Sequence, residues 1–283
     1  MLRKLRGCGA AQIAALIGLT LGLAACGAKP INGSAIANIE PFNFQVTVGK
    51  NNYQIEGYLA LDQSAPGQQL PALLVLDGPD GNAKRCIAAN NHLTSLGMQI
   101  ACISIPGYGK SSGPSRFIGK QAVAAARRAL DLLAARTDVD SNRLAIWGLA
   151  NGAVAAGLVM DSDPRLRAVV LESGAYDMAR FWPEATWMTK LAILREVWPS
   201  PRILRERSVL ANMPAKLDCR VLILHGDNDK KMPVDQAKLL EQALRERGAK
   251  VEARYFAQGP HLLGSRVDLP VQDFLKENLI ASN

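Results

Sequence analysis

The chain has 283 residues, of which 48% are apolar and 20% are charged, and its formal net charge is +8. This composition is close to the globular average, which excludes a disordered chain, a collagen and a coiled coil, and the length suits one large domain or two small ones. The basic residues are scattered, and the five cysteines form no C-x-x-C pair. We therefore predict no nucleic-acid partner, no metal site and no cofactor.

Residues 1–25 have the pattern of a secretory signal. An apolar run from residue 10 to residue 25 follows a positive head formed by Arg3, Lys4 and Arg6. The run is short and rich in small residues, whereas a helix that spans a bilayer needs about 20 consecutive apolar residues. We therefore predict that the chain is exported.

The signal ends in the sequence Leu-Ala-Ala-Cys at residues 23–26. This ending resembles a bacterial lipobox, in which the cysteine becomes the lipidated first residue of the mature protein. Because acyl chains hold a soluble domain at a membrane, we predict a lipid anchor at Cys26 in the bacterial cell envelope; a plain secretory signal and an uncleaved anchor are the alternatives. Residues 26–41 are rich in small and polar residues and are predicted to form a flexible tether.

Export places the remaining cysteines, Cys86, Cys102 and Cys219, in an oxidising compartment. One disulfide plus a free thiol is one interpretation. The other is that these residues are small buried hydrophobic side chains, which the apolar run around Cys102 favours.

Residues 42–283 are predicted to form one α/β domain. Residues 44–48 and 53–61 flank a polar turn and predict an antiparallel hairpin. Short apolar runs, typical of parallel strands buried on both faces, then recur at residues 72–76, 100–105, 144–147, 168–171 and 221–224. Helical patterns lie between them at residues 121–136, 151–160 and 234–247. The predicted fold is a doubly wound, mostly parallel sheet that begins with two antiparallel strands.

The interval 178–218 interrupts this alternation because it is longer than a normal connection. It contains Trp182, Trp187 and Trp198. We predict a helical cap over the carboxyl edge of the sheet. Its aromatic side chains would either line a substrate site or only bury one another, and the sequence leaves both interpretations open.

Glycine-rich and polar segments follow the strands, at the edge where ligands bind in open α/β sheets. Together they resemble the α/β-hydrolase family, in particular its dienelactone-hydrolase and prolyl-oligopeptidase-like branches, from residue 44 to the C-terminus. The residues that carry the resemblance are the tight turn from Gly148 to Gly152, the His225-Gly226-x-x-Asp229 element and His261 near the end. The resemblance implies the family's fold and its chain order of nucleophile, acid and histidine, which falls here on position 150, Asp229 and His261.

The sequence departs from the family at the nucleophile. The family's elbow is Gly-x-Ser-x-Gly, whereas residues 148–152 are Gly-Leu-Ala-Asn-Gly. A methyl group cannot attack a carbonyl, and removal of the serine from a triad enzyme lowers turnover about 10⁶-fold. Ala150 therefore occupies a vacant nucleophile position.

A second departure lies in the oxyanion hole that the resemblance implies. The amide of Asn151, the residue after the nucleophile position, supplies one donor. The second donor usually follows a His-Gly pair, which is Asp-Gly here, and the next residue is Pro79, which has no N–H to donate. Gly81 or Asn82 would replace it only in a rearranged loop.

Asp229 is predicted to be the family acid that orients His261, with Asp227 as the alternative, and His261 would be the general base. His225 is predicted to be structural. Three serines follow strands and are candidate replacement nucleophiles, although turn formation is the favoured interpretation of each: Ser111, Ser112 and Ser173.

Two functions fit these residues. The first is a membrane-anchored binding lipoprotein, a degenerate hydrolase that holds a small-molecule or peptide ligand of ester or amide type with little turnover. The second is a working hydrolase that activates water with His261 and Asp229 or uses a displaced serine. A weaker third is a partner-docking module whose tryptophan-rich cap is an exposed apolar patch.

Overall fold

A computed structural model describes residues 38–64, 66–78, 81–160 and 163–280. The first two strands, β1 (Asn38–Val48) and β2 (Asn51–Leu61), form the predicted antiparallel hairpin. Its turn contains Gly49 at a φ of 63°, in the left-handed region that glycine tolerates best.

The predicted tether is shorter than expected at its C-terminal end. Residues 38–41 belong to β1 because they pair in register with the end of β2, with Asn38 opposite Leu61 and Pro41 opposite Tyr58. The predicted signal at residues 1–25, the lipidation site Cys26 and the rest of the tether lie outside the described residues.

The described residues contain one sheet with the strand order β1-β2-β4-β3-β5-β6-β7-β8. Strands β1 and β2 are antiparallel to their neighbours, and the other pairs are parallel. The remaining strands are β3 (Leu70–Leu76), β4 (Gln99–Ile103), β5 (Val139–Leu149), β6 (Leu166–Glu172), β7 (Arg220–Gly226) and β8 (Lys250–Phe256). Each apolar run that the sequence marks as a parallel strand is one, so the predicted mostly parallel sheet that begins with two antiparallel strands is confirmed.

Helices cover both faces of this sheet. The helices that follow strands are α1 (Ala83–Asn90), α2 (Lys120–Ala134), α3 (Asn151–Val159), α7 (Asp235–Glu246) and α8 (Asp268–Leu275). The interval 178–218 contains α4 (Met178–Glu184), α5 (Trp187–Glu196) and α6 (Pro201–Glu206). Shorter helical turns lie at Asn91–Leu96, Leu210–Asn212, Gly264–Val267 and Lys276–Ile280.

The pleat of β3 shows how the two layers form. Leu74 and Leu76 belong to an apolar cluster with α2, α3 and α7, whereas Leu73 and Val75 belong to a second cluster with α1 and α8. Neighbouring residues of a strand point to opposite faces, so a continuous apolar run can supply two cores. Each fully buried leucine stabilises the folded state by about 1.5–3 kcal/mol relative to an exposed one. The strand ends that form the carboxyl edge of the sheet are therefore held by two packed cores.

A disulfide joins Cys86 of α1 to Cys102 of β4, and Cys219 is a buried free thiol. The expectation of a merely buried side chain at Cys102 is therefore wrong, because α1 packs over β4 with the two residues facing one another. Burial raises the pKa of the Cys219 thiol to about 11. Within the described residues, no helix combines the length and apolarity needed to cross a membrane.

Candidate active site

The bend between β5 and α3 has the geometry of a nucleophile elbow. Ala150 lies between the last residue of the strand and the first residue of the helix, with φ 51° and ψ −112°. A side chain at positive φ is sterically strained and persists only where its surroundings impose it. The Ala150 amide donates to the carbonyl oxygen of Glu172 at 2.8 Å, which ties the bend to β6.

The two glycines that flank this bend are required by close backbone contacts. A Cβ atom at Gly148 would overlap the carbonyl of Gly152, and a Cβ at Gly152 would overlap the carbonyl of Leu76. The bend therefore packs directly against the end of β3, and only glycine fits at either position. The chain keeps the full backbone of a serine elbow while it presents a methyl group at its tip.

The predicted acid and base meet at the ends of β7 and β8. His261 Nδ1 lies 2.7 Å from Asp229 Oδ2, and its N–H donates to that carboxylate. The other oxygen, Oδ1, accepts from the amides of Lys231 and Met232 at 2.8 and 2.9 Å. Asp227, the alternative acid, is exposed, so Asp229 is the carboxylate that orients the imidazole.

Opposing effects set the charge state of Asp229. Burial raises its pKa, but hydrogen bonds from His225, His261 and the Met232 amide outweigh burial and hold the pKa well below its usual range. Asp229 is therefore an anion at neutral pH, and this anion fixes the Nδ1-protonated orientation of His261. The other ring nitrogen, Nε2, is left to act as a base.

The sequence predicts a structural role for His225, and the structure also brings this histidine close to the Asp229 carboxylate. The side chain is fully buried, and its Nε2 atom lies 2.8 Å from the Met232 carbonyl oxygen and 3.3 Å from Asp229 Oδ2. Two histidines therefore approach the same carboxylate. The Nδ1 atom of His225 has no hydrogen-bond partner among the described residues.

A cavity of about 930 Å³ contains the vacant tip and the base together. Ala150, Asn151 and His261 line its floor. The cap supplies one wall through α5 and the residue before it, with Thr186, Trp187, Met188, Thr189, Ala192, Ile193 and Glu196. The three predicted cap tryptophans have different surroundings: Trp187 lines the cavity, Trp182 packs partly buried against the core, and Trp198 is exposed.

Three basic residues line this cavity that the sequence analysis did not identify, because no motif marks them. Arg85 of α1 and the pair Lys230 and Lys231, which follow the acid, also line it. Each occurs in an ordinary surface-like stretch, so only the fold brings them to the site.

A buried carboxyl lies behind the elbow: Glu172 accepts from Trp147 Nε1 at 3.2 Å, and burial raises its pKa to about 7.

The oxyanion hole is incomplete in the residues that the structure describes. The Asn151 amide is at the first position of α3, where a helix leaves its N–H groups without intrahelical partners. The Gly78 amide donates to Asp77 Oδ1 at 2.8 Å, and the Gly81 amide donates to the Gly78 carbonyl at 3.1 Å. Pro79 lies outside the described residues.

Asn82, the other predicted replacement donor, has a structural role. Its side-chain oxygen accepts from the Arg85 amide at 2.9 Å and caps α1. The Asn82 side-chain oxygen is an acceptor in this contact, and the Gly81 amide donates to Gly78, so neither group is a free donor for an oxyanion at Ala150.

A tyrosine connects the elbow to the cap. The Tyr108 hydroxyl donates to Glu196 Oε1 of α5 at 2.9 Å and is also hydrogen-bonded to the side chains of Asn151 and Ser115. The second oxygen of Glu196 accepts from the Phe117 amide at 2.7 Å. Burial and the neighbouring Glu196 carboxylate raise the pKa of Tyr108, so the hydroxyl keeps its proton and this contact holds α5 over the elbow.

None of the candidate replacement serines lines the cavity. Ser111 Oγ donates to the Ser104 carbonyl and accepts from the Glu56 amide, and Ser112 Oγ accepts from the Gln54 amide at 2.7 Å. Ser173 is fully buried, at a φ of 53°. The hydroxyls of Ser111 and Ser112 therefore tie their loop to β2, which is a structural role other than the local turn that the sequence favours.

No group of three or more histidine, cysteine, aspartate or glutamate side chains in the described ranges is placed to hold a metal ion. The floor of the cavity carries an ordered carboxylate–imidazole pair, because His261 lines it and is held by Asp229. An imidazole held in this way can accept a proton from a group that lies within hydrogen-bond reach of Nε2.

The prolyl oligopeptidase family matches residues 93–279 of the chain. Among curated proteins, the chain is 30% identical to the uncharacterized protein Rv2307c of Mycobacterium tuberculosis over 214 residues, which cover 74% of this chain and 71% of that protein. It is 27% identical to the protein bem46 of Schizosaccharomyces pombe over 237 residues, which cover 81% and 75% of the two chains.

Solved structures share the fold at low identity. A puromycin-hydrolyzing peptidase of Mycobacterium tuberculosis superposes with a TM-score of 0.75 at 19% identity, over 88% of this chain and 40% of the peptidase. An esterase of Pyrobaculum calidifontis superposes with a TM-score of 0.67 at 16% identity, over 86% and 87% of the two chains. The chain thus spans two fifths of the peptidase and most of the esterase, and at these identities the likeness is one of fold.

Proposed function

Because the chain belongs to the prolyl oligopeptidase family of α/β-hydrolases, we propose that it is a degenerate hydrolase that binds an ester- or amide-like ligand with little turnover. One observation carries this proposal. Ala150 occupies the strained tip of a complete nucleophile elbow and lines the same cavity as His261. The position from which an acyl-enzyme would form therefore holds a methyl group.

Two further contacts support low turnover. The amides of Gly78 and Gly81 donate to other acceptors, which leaves the Asn151 amide as the oxyanion donor that the described residues offer. Loss of one such donor lowers turnover about 10²–10³-fold, and loss of the nucleophile about 10⁶-fold, although the two losses do not simply add.

The cavity supports a ligand with an apolar part and an anionic part. Its volume of about 930 Å³ is within the range of small-molecule sites. Trp187, Met188 and Ile193 offer apolar contacts on the cap side, while Lys230 and Lys231 bring positive charge to the rim. A carbonyl compound or a short peptide with an acidic group has this chemistry.

We further propose that the protein is exported and lipid-anchored at Cys26 in the bacterial cell envelope. The Leu-Ala-Ala-Cys sequence at residues 23–26 supports the anchor. The Cys86–Cys102 disulfide supports an oxidising compartment, since disulfides persist there and are rare in the cytosol. Metabolic labelling with a fatty-acid probe tests the anchor: the label is expected on the unaltered protein and absent from the Cys26→Ser variant.

Turnover of a nitrophenyl ester tests the binding function. The purified protein is expected to bind a non-hydrolysable ester analogue while it hydrolyses the ester no faster than the His261→Ala variant does. Steady hydrolysis that His261→Ala abolishes would overturn the proposal.

The His261–Asp229 contact of 2.7 Å favours a second candidate, an active hydrolase in which the imidazole activates water. A water nucleophile gives turnover that depends on His261 without covalent labelling by a fluorophosphonate. Labelling of a serine would instead indicate a displaced nucleophile, which the positions of Ser111, Ser112 and Ser173 outside the cavity argue against.

A further inference from the structure

An unusual share of the exposed apolar side chains lies on helix α5 of the cap and on Trp198, which follows it. Of eight large hydrophobic side chains that are exposed in the described residues, five occur between residues 187 and 198: Trp187, Met188, Leu191, Leu194 and Trp198. Trp187 and Trp198 are 73% and 77% exposed. A soluble surface rarely gathers apolar side chains in this way without a partner.

The spacing of these side chains forms a stripe on α5. Trp187, Leu191 and Leu194 follow one another at intervals of four and three residues, so they share one face of the helix. The opposite face is already occupied, since Ile193 is buried and Glu196 accepts from Tyr108 and the Phe117 amide. Leu191 and Leu194 therefore point away from the cavity, while Trp187, at the first turn of α5, is exposed and also lines the cavity.

Positive charge borders the stripe. Lys190 and Arg195 flank it on α5 itself, and Lys190 also donates to the Pro183 carbonyl oxygen at 2.8 Å. The cap helices α4 and α6 carry three further exposed arginines: Arg180, Arg202 and Arg205. Three glutamates lie on the cap helices, but Glu196 is turned inward and Glu206 accepts from Arg202 at 2.9 Å. Glu184 is the remaining exposed carboxylate of the three, so the face is apolar with a basic border.

We propose that this face of α5 docks on the surface of an anionic phospholipid bilayer. Tryptophan side chains are favoured at the boundary between headgroups and acyl chains because they are apolar with one polar N–H. Helices with an apolar face and a basic border lie in that boundary, and basic side chains near it are attracted to anionic lipids.

Charge complementarity favours a bilayer over a second copy of this chain. Two copies joined through the same face would bring Lys190 and Arg195 of one α5 close to those of the other, which is unfavourable. An anionic bilayer accepts the same residues as attractive contacts.

The docking also orients the cavity. Trp187 and Met188 belong to the exposed patch and to the lining of the candidate site. A molecule held by α5 therefore presents the mouth of the cavity to the lipid surface. This surface contact is separate from the lipid on Cys26, and it does not depend on whether the site turns over its ligand.

Vesicle binding tests the proposal with a chain that begins at Ser34. Residues 34–283 form one compact unit that includes every described strand and helix, and this chain lacks Cys26 and the apolar N-terminal segment. Co-sedimentation is compared between phosphatidylcholine vesicles and the same vesicles with phosphatidylglycerol. We expect binding to the anionic vesicles that falls as salt is raised.

Variants separate the docking face from the candidate site. Leu191→Ser/Trp198→Ser removes two exposed side chains that do not line the cavity, and Leu269→Ser, at a 70% exposed position on α8, is the matched control. We expect the double variant to weaken binding about tenfold or more, the control to leave it unchanged, and Arg195→Gln to weaken binding to the anionic vesicles alone. Circular dichroism confirms that each variant is folded.

Three results would overturn the proposal. The first is equal binding of the double variant and the control, and the second is no binding of the unaltered chain. The third is a concentration-dependent dimer in sedimentation velocity that Leu191→Ser/Trp198→Ser abolishes, because the face would then bind a second copy. None of these results bears on ester turnover, so the proposed function of the cavity is tested separately.

Discussion

His261 Nδ1 lies 2.7 Å from Asp229 Oδ2, yet the residue at the tip of the facing elbow is Ala150. The structure thus contains an assembled acid–base pair and a strained elbow that share one cavity. At the tip of the elbow, the missing group is the hydroxyl of a serine.

Ala150→Ser should therefore create or raise esterase activity. The serine hydroxyl would stand at the elbow tip in the cavity that His261 lines, and we expect turnover of a nitrophenyl ester to rise about 10²-fold or more. The variant should also be labelled by a fluorophosphonate. Ala150→Ser/His261→Ala is the control, and a folded Ala150→Ser protein without either gain would show that the pair is not poised for catalysis.

His225 is expected to position Asp229. In the Ala150→Ser background, His225→Ala removes a buried donor 3.3 Å from the carboxylate, so kcat should fall about tenfold with KM little changed. The pH–rate profile should shift as well, because the carboxylate that holds His261 has lost a contact. An unchanged pH profile with a lower melting temperature would indicate that the role of His225 is only structural.

Asp229 should make stability depend on acid pH. Its folded pKa lies below the unfolded value of about 3.9, so its contribution is present above that value and is lost as pH falls through it toward the lower folded pKa. Urea denaturation from pH 7 to pH 3 should show the unaltered protein more stable than Asp229→Asn at pH 7, with the difference shrinking below about pH 4. A constant difference would contradict this linkage.

Gly152→Ala should destabilise the fold more than a glycine substitution in an open turn. Its Cβ would overlap the Leu76 carbonyl, and such overpacking costs about 1–3 kcal/mol or more. Gly49→Ala is the comparison, because its Cβ meets nothing within 4 Å and only the positive φ opposes it; we expect about 1 kcal/mol there. Equal losses in urea denaturation would show that the close contact is relieved by movement of the strand.

Reduction should weaken the fold through the Cys86–Cys102 bond. The two residues are 16 positions apart, and closing a loop of that length stabilises a protein by about 3 kcal/mol. Urea denaturation of the Cys86→Ala/Cys102→Ala variant should match that of the reduced protein, and reductant should have no effect on the variant. Cys219→Ala is the control, since the Cys219 thiol forms no disulfide.

The sheet was predictable because its strands are nearly continuous apolar runs. β3 and β6 supply both cores at once, so their sequences contain little else. The start of β1 was not predictable in the same way. Residues 38–41 have the composition of a tether, and only the pairing of Asn38 with Leu61 shows that they belong to the strand. Boundaries of this kind depend on the partner strand, which is distant in the sequence.

The site was predictable where motif order carries information and not elsewhere. Ala150, Asp229 and His261 follow from the resemblance in chain order. The approach of His225 to Asp229, the cavity-facing Lys231 and the bond between Cys86 and Cys102 depend on distances across elements. No local pattern encodes them.

The strained bend at position 150 persists although it delivers no nucleophile. A conformation of this kind costs about 1–3 kcal/mol, and the glycines on either side still accommodate it. In the genetic code, one base change converts an alanine codon of the form GCN to the serine codon UCN. The chain therefore stands a single point mutation from regaining a hydroxyl on a scaffold already bent to present it.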